Sequence, residues 1–247
     1  MTPVVLVLGA GAGIGGHVGK RFAQEGYHVV LARRSDESGL QKLVEAAQAD
    51  GGKASGRLLN AAEDNAIEDL IGDIESDIGP IETVVFNLGA QIGNRALEVT
   101  THKQFELGWR MATFALFRVA KALFPLMAQR GSGTLLVTSA TSAVRGNAGQ
   151  HSHAAAMGGR RMLCQSLMAE YASQGIHVAH IIIDGAVDAP DTLGKMLGEE
   201  NFQKLREARG KDKDGLLLPA KIAETYCHVA HQHRSVWTHE MDLRSFS

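Results

Sequence analysis

The sequence predicts an α/β fold with a doubly wound parallel sheet and helices on both faces. Three observations carry that expectation. Short apolar, β-branched runs lack a polar alternation, as strands covered on both faces do. Longer amphipathic segments separate them, and strand–helix alternation implies right-handed crossovers. A glycine-rich turn follows the first run directly.

Strands are expected at 3–8, 28–32, 83–87, 134–138 and 176–183, with a weaker candidate at 54–60. Helices are expected at 15–25, 36–50, 64–77, 101–128 and 153–173, and a last one from Pro219. Gly51-Gly52 and Gly79-Pro80 punctuate the connections. No repeat or linker interrupts residues 1–247, so one domain is expected. The charged, Gly-containing stretch 190–215 breaks the rhythm after the last long strand, where such sheets open their crevice. It reads as a mobile substrate lid. Residues 236–244 mix aromatic and charged side chains and read as a packed tail rather than a final strand.

Bulk properties exclude several classes. A net charge of −2 offers no strong field for nucleic acid or an anionic membrane. The N-terminal apolar run stops at Gly9, too short for a span, and no basic segment precedes it as in a signal peptide. Cys164 and Cys227 are isolated thiols, which fits a reducing cytoplasm. His228, His231 and His233 do not converge on a helix, and Cys227 is expected to point elsewhere, so no metal site is expected.

The turn after the first strand reads Gly9-Ala10-Gly11-Ala12-Gly13-Ile14-Gly15 and opens a helix. Glycines allow close backbone approach to a diphosphate, and the helix start offers free N–H groups and a positive dipole end. The pattern marks a Rossmann-type dinucleotide site. At the end of the second strand, Arg33 and Arg34 precede any carboxylate. Guanidinium groups suit a ribose 2′-phosphate where a carboxylate would suit a 2′-hydroxyl. That favours NADP(H) over NAD(H).

With Gly9-x-x-x-Gly13-Ile14-Gly15, further motifs occur in order: Leu59-Asn60-Ala61, Phe86-Asn87-Leu88-Gly89, Ser139 after Val137-Thr138, and Asp184-Gly185-Ala186-Val187. The chain therefore resembles the short-chain dehydrogenase/reductase family from residue 3 to 187. The resemblance implies that Asn60 and Ala61 flank the adenine. It also makes Asn87 and Gly89, after the fourth strand, cofactor-binding and places Gly185 and Val187 beside the nicotinamide, Asp184 standing where the family has Pro.

The resemblance further implies a catalytic Ser, Tyr, Lys and Asn. Ser139 matches the Ser. No Tyr-x-x-x-Lys occurs; one register puts His153 at the Tyr position and Met157 at the Lys position, a one-residue slip puts Ser152 and Ala156 there, and Ala112 falls at the Asn position. Two functions stay open. One is an NADP(H)-dependent oxidoreductase acting on a small carbonyl, alcohol or enone, with Ser139 holding the substrate oxygen and His153 as proton donor, since imidazole titrates near neutrality. His151 is a further candidate donor. The other is a non-catalytic NADP(H)-binding sensor or scaffold. The resemblance also implies a homodimer or homotetramer formed through helices near 101–128 and 153–173. Aromatic residues from Phe105 to Phe124 would supply core and interface, and Gly158-Gly159 would permit close approach.

Overall fold

The computed structural model describes residues 2–49, 51–89, 93–210 and 213–246. The expected helix end at residue 50, lid residues 211–212 and tail residue 247 lie outside that set.

Seven strands form one sheet in the order β3-β2-β1-β4-β5-β6-β7. They are β1 (Val4–Leu8), β2 (His28–Arg33), β3 (Lys53–Leu58), β4 (Ile81–Phe86), β5 (Gly133–Ala140), β6 (Ile176–Asp184) and β7 (Glu240–Arg244). Every neighbouring pair is parallel. This is the doubly wound Rossmann architecture that the alternation predicts.

Successive side chains along β1 divide between the two faces. Val4, Leu6 and Leu8 join the apolar cluster under α3 (Ala66–Asp77), α5 (Ala115–Arg130) and α6 (His151–Tyr171). Val5 and Val7 join the cluster under α1 (Ile14–Gln24), α2 (Glu37–Gln48) and α9 (Pro219–Ala230). Every β1 side chain is buried, which explains the unbroken apolar run. The chain winds outward from β1 in one direction through β2 and β3, and in the other from β4. The crevice between β1 and β4 is therefore the topological switch point.

The expected single helix over 101–128 is three pieces. α4 (His102–Trp109) starts on a Thr101–Gln104 capping box. A π-helical turn (Arg110–Phe114) follows, then α5. The run His102–Arg130 is long and apolar enough to cross a membrane. Here its α5 part buries Leu116, Val119, Leu123 and Met127 on the sheet, as a core helix does. Arg118 on α5 pairs with Glu68 of α3 at 2.5 Å and donates to the carbonyls of Ala61 and Glu63.

One expectation is corrected. Residues 240–244, expected as a packed tail, form a strand, in parallel register from His180↔Glu240 to Asp184↔Arg244. Met241 and Leu243 pack on the α9 side, while Glu240 accepts a bidentate pair of bonds from Arg161. Met241 and Leu243 alternate with Glu240, Asp242 and Arg244, the period of a half-buried strand, which the reading as a tail passes over. After β6 the chain continues largely in helical turns. A second π turn (Pro190–Gly194) leads through the short α7 (Lys195–Leu197) into α8 (Glu199–Arg209). Phe202 of α8 is buried against Gly194.

Candidate dinucleotide-binding and active site

A cleft of about 560 Å³ opens at the β1/β4 switch point. That falls in the usual range for ligand pockets. Its floor is the glycine turn. The amides of Gly9 and Ala10 both donate to Ala32 O at 2.9 Å, which folds the chain back as it leaves β1. Gly9 has φ +89°, and a β-carbon there would stand 2.5 Å from Asn87 O. Gly15 approaches Gly9 O as closely. Gly11 differs: a β-carbon there meets nothing within 4 Å, so the space beside its backbone belongs to the cleft. Gly13 caps α1 and Ile14 begins it; the Gly16 amide is taken by Gly11 O at 2.7 Å, while the amides of Ile14 and Gly15 meet no backbone carbonyl among the described residues. Such a concave, amide-lined cradle fits a diphosphate.

One end of the cleft is cationic. Arg33, Arg34 and Ser35 line it. Arg33 is partly engaged by Asp36 at 3.1 Å. Asp36 itself sits at φ 66° and caps α2 by accepting from the Gly39 amide. Arg34 is exposed and makes no ion pair among the described residues. Asn60 and Ala61 follow β3 but do not line the cleft. Asn60 donates to Glu63 and accepts from the Ala62 amide, while buried Ala61 is held through its carbonyl by Arg118.

The opposite end is walled by Asn87, Leu88, Gly89, Met111, Val187 and Thr192. Asn87 Nδ2 donates to Gly9 O at 2.9 Å and so couples the β4 exit to the glycine turn. Val187 pairs with Leu217, which also backs Gly185 from outside the cleft. Asp184, in the position of the family's Pro, accepts from Thr141 at 2.7 Å and pairs with Arg244 at 3.2 Å. It thereby ties the ends of β5, β6 and β7.

Ser139 ends β5, is 5% exposed, and does not line the cleft. Its hydroxyl meets the Met157 sulfur at 3.9 Å. His153 is half-buried on the first turn of α6, one turn before Met157 and hence on the same face. It too lies outside the cleft lining. His151 bonds Thr100 Oγ1 at 3.0 Å.

Reading the residues in order missed three things. Met111 and Thr192 face the cleft from the two π turns, an interruption that apolar periodicity does not reveal. Arg160 is almost wholly buried, with its guanidinium bonded to three backbone carbonyls at the closed end of the site. Its only sequence signal is a cation amid the small and apolar residues of α6. Cys227 does not point away from the histidines, since its sulfur lies 3.6 Å from His231 Nδ1, one helical turn on. His231 also bonds Tyr27, and no group of three or more potential metal ligands forms among the described residues. Of the expected glycine pair on α6, Gly159 makes the close approach, to Thr113, and Gly158 does not.

Comparison with known proteins matches this architecture. The family model for short chain dehydrogenases matches residues 3–195. The chain is 29% identical over 230 residues to the short-chain reductase protein NovJ of Streptomyces niveus, covering 92% of this chain and 86% of that one. It superposes on the crystal structure of a short-chain dehydrogenase from Rhodopseudomonas palustris with a TM-score of 0.80 and 32% identity, over 98% of both chains. An alcohol dehydrogenase from Thermococcus sibiricus, complexed with 5-hydroxy-NADP, shares the fold at a TM-score of 0.82 and 22% identity, covering 100% of this chain and 97% of that one. With its glycine turn, switch-point cleft and full-length superposition on such a protein, the chain belongs to the short-chain dehydrogenase/reductase family of oxidoreductases.

Proposed function

We propose that this protein is an NADP(H)-dependent oxidoreductase acting on a small carbonyl, alcohol or enone. The observation that carries the reading is the cleft itself, with an open amide cradle at Gly11–Gly15 and the unpaired Arg34 at one end. When bound, the nicotinamide supplies hydride transfer. The chain's own residues bind and orient. Gly9, Gly11, Gly13, Ile14 and Gly15 receive the diphosphate, and Arg33 and Arg34 receive the 2′-phosphate. Asn60 and Ala61 border the adenine. Asn87, Gly89, Gly185 and Val187 frame the reacting end. Ser139 Oγ orients the substrate oxygen, and His153 donates its proton there or accepts it in the reverse direction. The segment 190–215 acts as a lid over the substrate, α8 being tethered to the β6 exit by Arg206–Asp188 at 3.1 Å. Solved relatives bound to NADP analogues support this cofactor class.

Calorimetry with NADPH and NADH tests the cofactor, and NADPH oxidation across a carbonyl and enone panel tests the activity. Turnover that falls at least about 100-fold in His153→Ala supports the assigned donor. A second reading, a non-catalytic NADP(H)-binding sensor or scaffold, is favoured by one observation: among the described residues the Ser139 hydroxyl's side-chain partner is the Met157 thioether, which can neither hold a charge nor relay a proton. Tight NADPH binding without turnover on any substrate would decide for it. In either case a homodimer or homotetramer through α4, α5 and α6, in the cytoplasm, is the proposed assembly.

A further inference from the structure

Below the closed end of the cleft lies a cation without a carboxylate. Arg160 is 2% exposed. Its Nη2 donates to Leu88 O at 2.8 Å, its Nη1 to Thr138 O at 2.6 Å and its Nε to Ala112 O at 3.2 Å. Its guanidinium carbon stands 4.9 Å from the centre of the Phe86 ring. No ion pair reaches it among the described residues. Burial draws its pKa down only to about 10, so it is charged at neutral pH.

The three carbonyls belong to the parts that shape the reacting end. Leu88 lines the cleft, Thr138 precedes Ser139, and Ala112 lies in the π turn beside cleft-lining Met111. The position where the family has its Lys carries Met157, one turn before Arg160 on the same helix. A positive charge is thus present at this end of the site, but it is fixed, buried and held by backbone dipoles rather than mobile at the surface.

We propose that Arg160 is a positioning residue whose buried charge biases the site toward the reduced, uncharged nicotinamide and disfavours the cationic oxidised ring. This rests on the dinucleotide reading above. An oxidised ring carries a full positive charge, and like charges near one low-dielectric wall repel appreciably. The same charge stabilises negative charge developing on a substrate oxygen held at Ser139, so the site favours reduction. Because Arg160 is out of solvent, salt screens this bias little, whereas phosphate contacts at Arg33 and Arg34 weaken with salt for both redox forms alike.

Dissociation constants for NADPH and NADP⁺, measured by calorimetry at low and high salt, test it. Wild-type protein should bind NADPH about tenfold more tightly than NADP⁺, a ratio of the size such a charge produces and one that survives added salt. Arg160→Met should bring the ratio near one. Arg160→Lys should keep most of the ratio while lowering Tm, since it retains the charge and loses hydrogen bonds. A wild-type ratio near one, a ratio that vanishes in salt, or an unchanged ratio in folded Arg160→Met would overturn the proposal. If Arg160→Met does not fold, the wild-type ratio and its salt response decide alone. Wild-type protein that binds neither nucleotide would instead sink the dinucleotide reading, and this inference with it.

Discussion

Asn87 and Gly9 hold each other across the switch point: the Asn87 amide donates to the Gly9 carbonyl at 2.9 Å, and the Asn87 carbonyl occupies the space where a Gly9 side chain would stand. The Gly9 carbonyl also accepts from the Gly11 amide at 3.0 Å, so the turn is held from within as well as from Asn87. Asn87→Leu removes one of these two donors, which costs about 0.5–1.5 kcal/mol. NADPH affinity should fall about tenfold or more, and the Tm should drop by a few degrees in a thermal scan. Unchanged affinity would show that the turn is set by its own backbone alone.

Gly9→Ala and Gly11→Ala separate folding from binding. At position 9 the added methyl is both in a left-handed backbone region and in collision with Asn87, so stability should fall by more than about 1 kcal/mol. At position 11 the methyl meets no protein atom within 4 Å. Gly11→Ala should unfold at the wild-type midpoint or above it, yet lose most NADPH binding because the methyl fills the cradle. Equal NADPH affinity in Gly11→Ala and wild type would place the diphosphate elsewhere.

Arg34 makes no ion pair among the described residues, whereas Arg33 shares its charge with Asp36. Arg34→Ala should weaken NADPH binding about ten- to hundredfold, the scale of one charge-assisted contact, with NADH affinity unchanged. Isothermal titration of both nucleotides measures it. A parallel loss for NADH would mean that Arg34 serves the cleft generally and does not read the 2′-phosphate.

Much of this cleft was legible before any coordinates. Gly9 to Gly15, Arg33 and Arg34 form one continuous wall because their signals are local: a glycine turn after a strand, and cations at a strand end. The sheet was legible for the same reason, since burial on both faces leaves apolar runs. What escaped depends on tertiary context. The strand at 240–244 is five residues long and alternates at the period of a half-buried strand, but the partners of its charged residues, Arg161 and Asp184, lie 79 and 60 residues away in sequence. The π turn at 110–114 leaves no mark on periodicity. Arg160 and Arg161 are adjacent in sequence yet have opposite fates, one buried under the cleft and one on Glu240 at the sheet edge, and only the direction of each on α6 separates them.

The β6–β7 seam makes stability depend on pH. His180 is fully buried, and its Nδ1 donates to Glu240 at 3.0 Å while Nε2 is buried with no partner. Burial lowers its pKa from 6.5 to about 4, although Glu240 opposes the shift. The folded protein therefore refuses a proton that the unfolded chain takes up. Stability is complete above pH 6.5 and falls by about 1.4 kcal/mol per unit as pH drops toward 4. Glu240, held below the usual carboxylate range by its bonds from Arg161, adds stability that is present above 4.5 and lost below it. Urea midpoints should thus decline from pH 6.5 downward in wild type and decline much less in His180→Gln. A flat profile to pH 5 in wild type would contradict the assignment.

The proposed assembly has a specific test. Phe105, Trp109 and Phe117 on α4 and α5 and Met162 on α6 are exposed by 42% to 60%. Trp109 stacks on Phe114, which stacks in turn on Phe117, so the aromatic surface is continuous. Exposed apolar area of this continuity fits the proposed interface. Sedimentation equilibrium should give at least twice the 26.4 kDa chain mass. Phe117→Glu places a charge in the middle of that surface, where no partner charge compensates it, and should shift the mass toward a single chain without lowering the Tm of the isolated fold. A wild-type mass near 26.4 kDa at micromolar concentration would show that this face is solvated and that the cleft is complete within one chain.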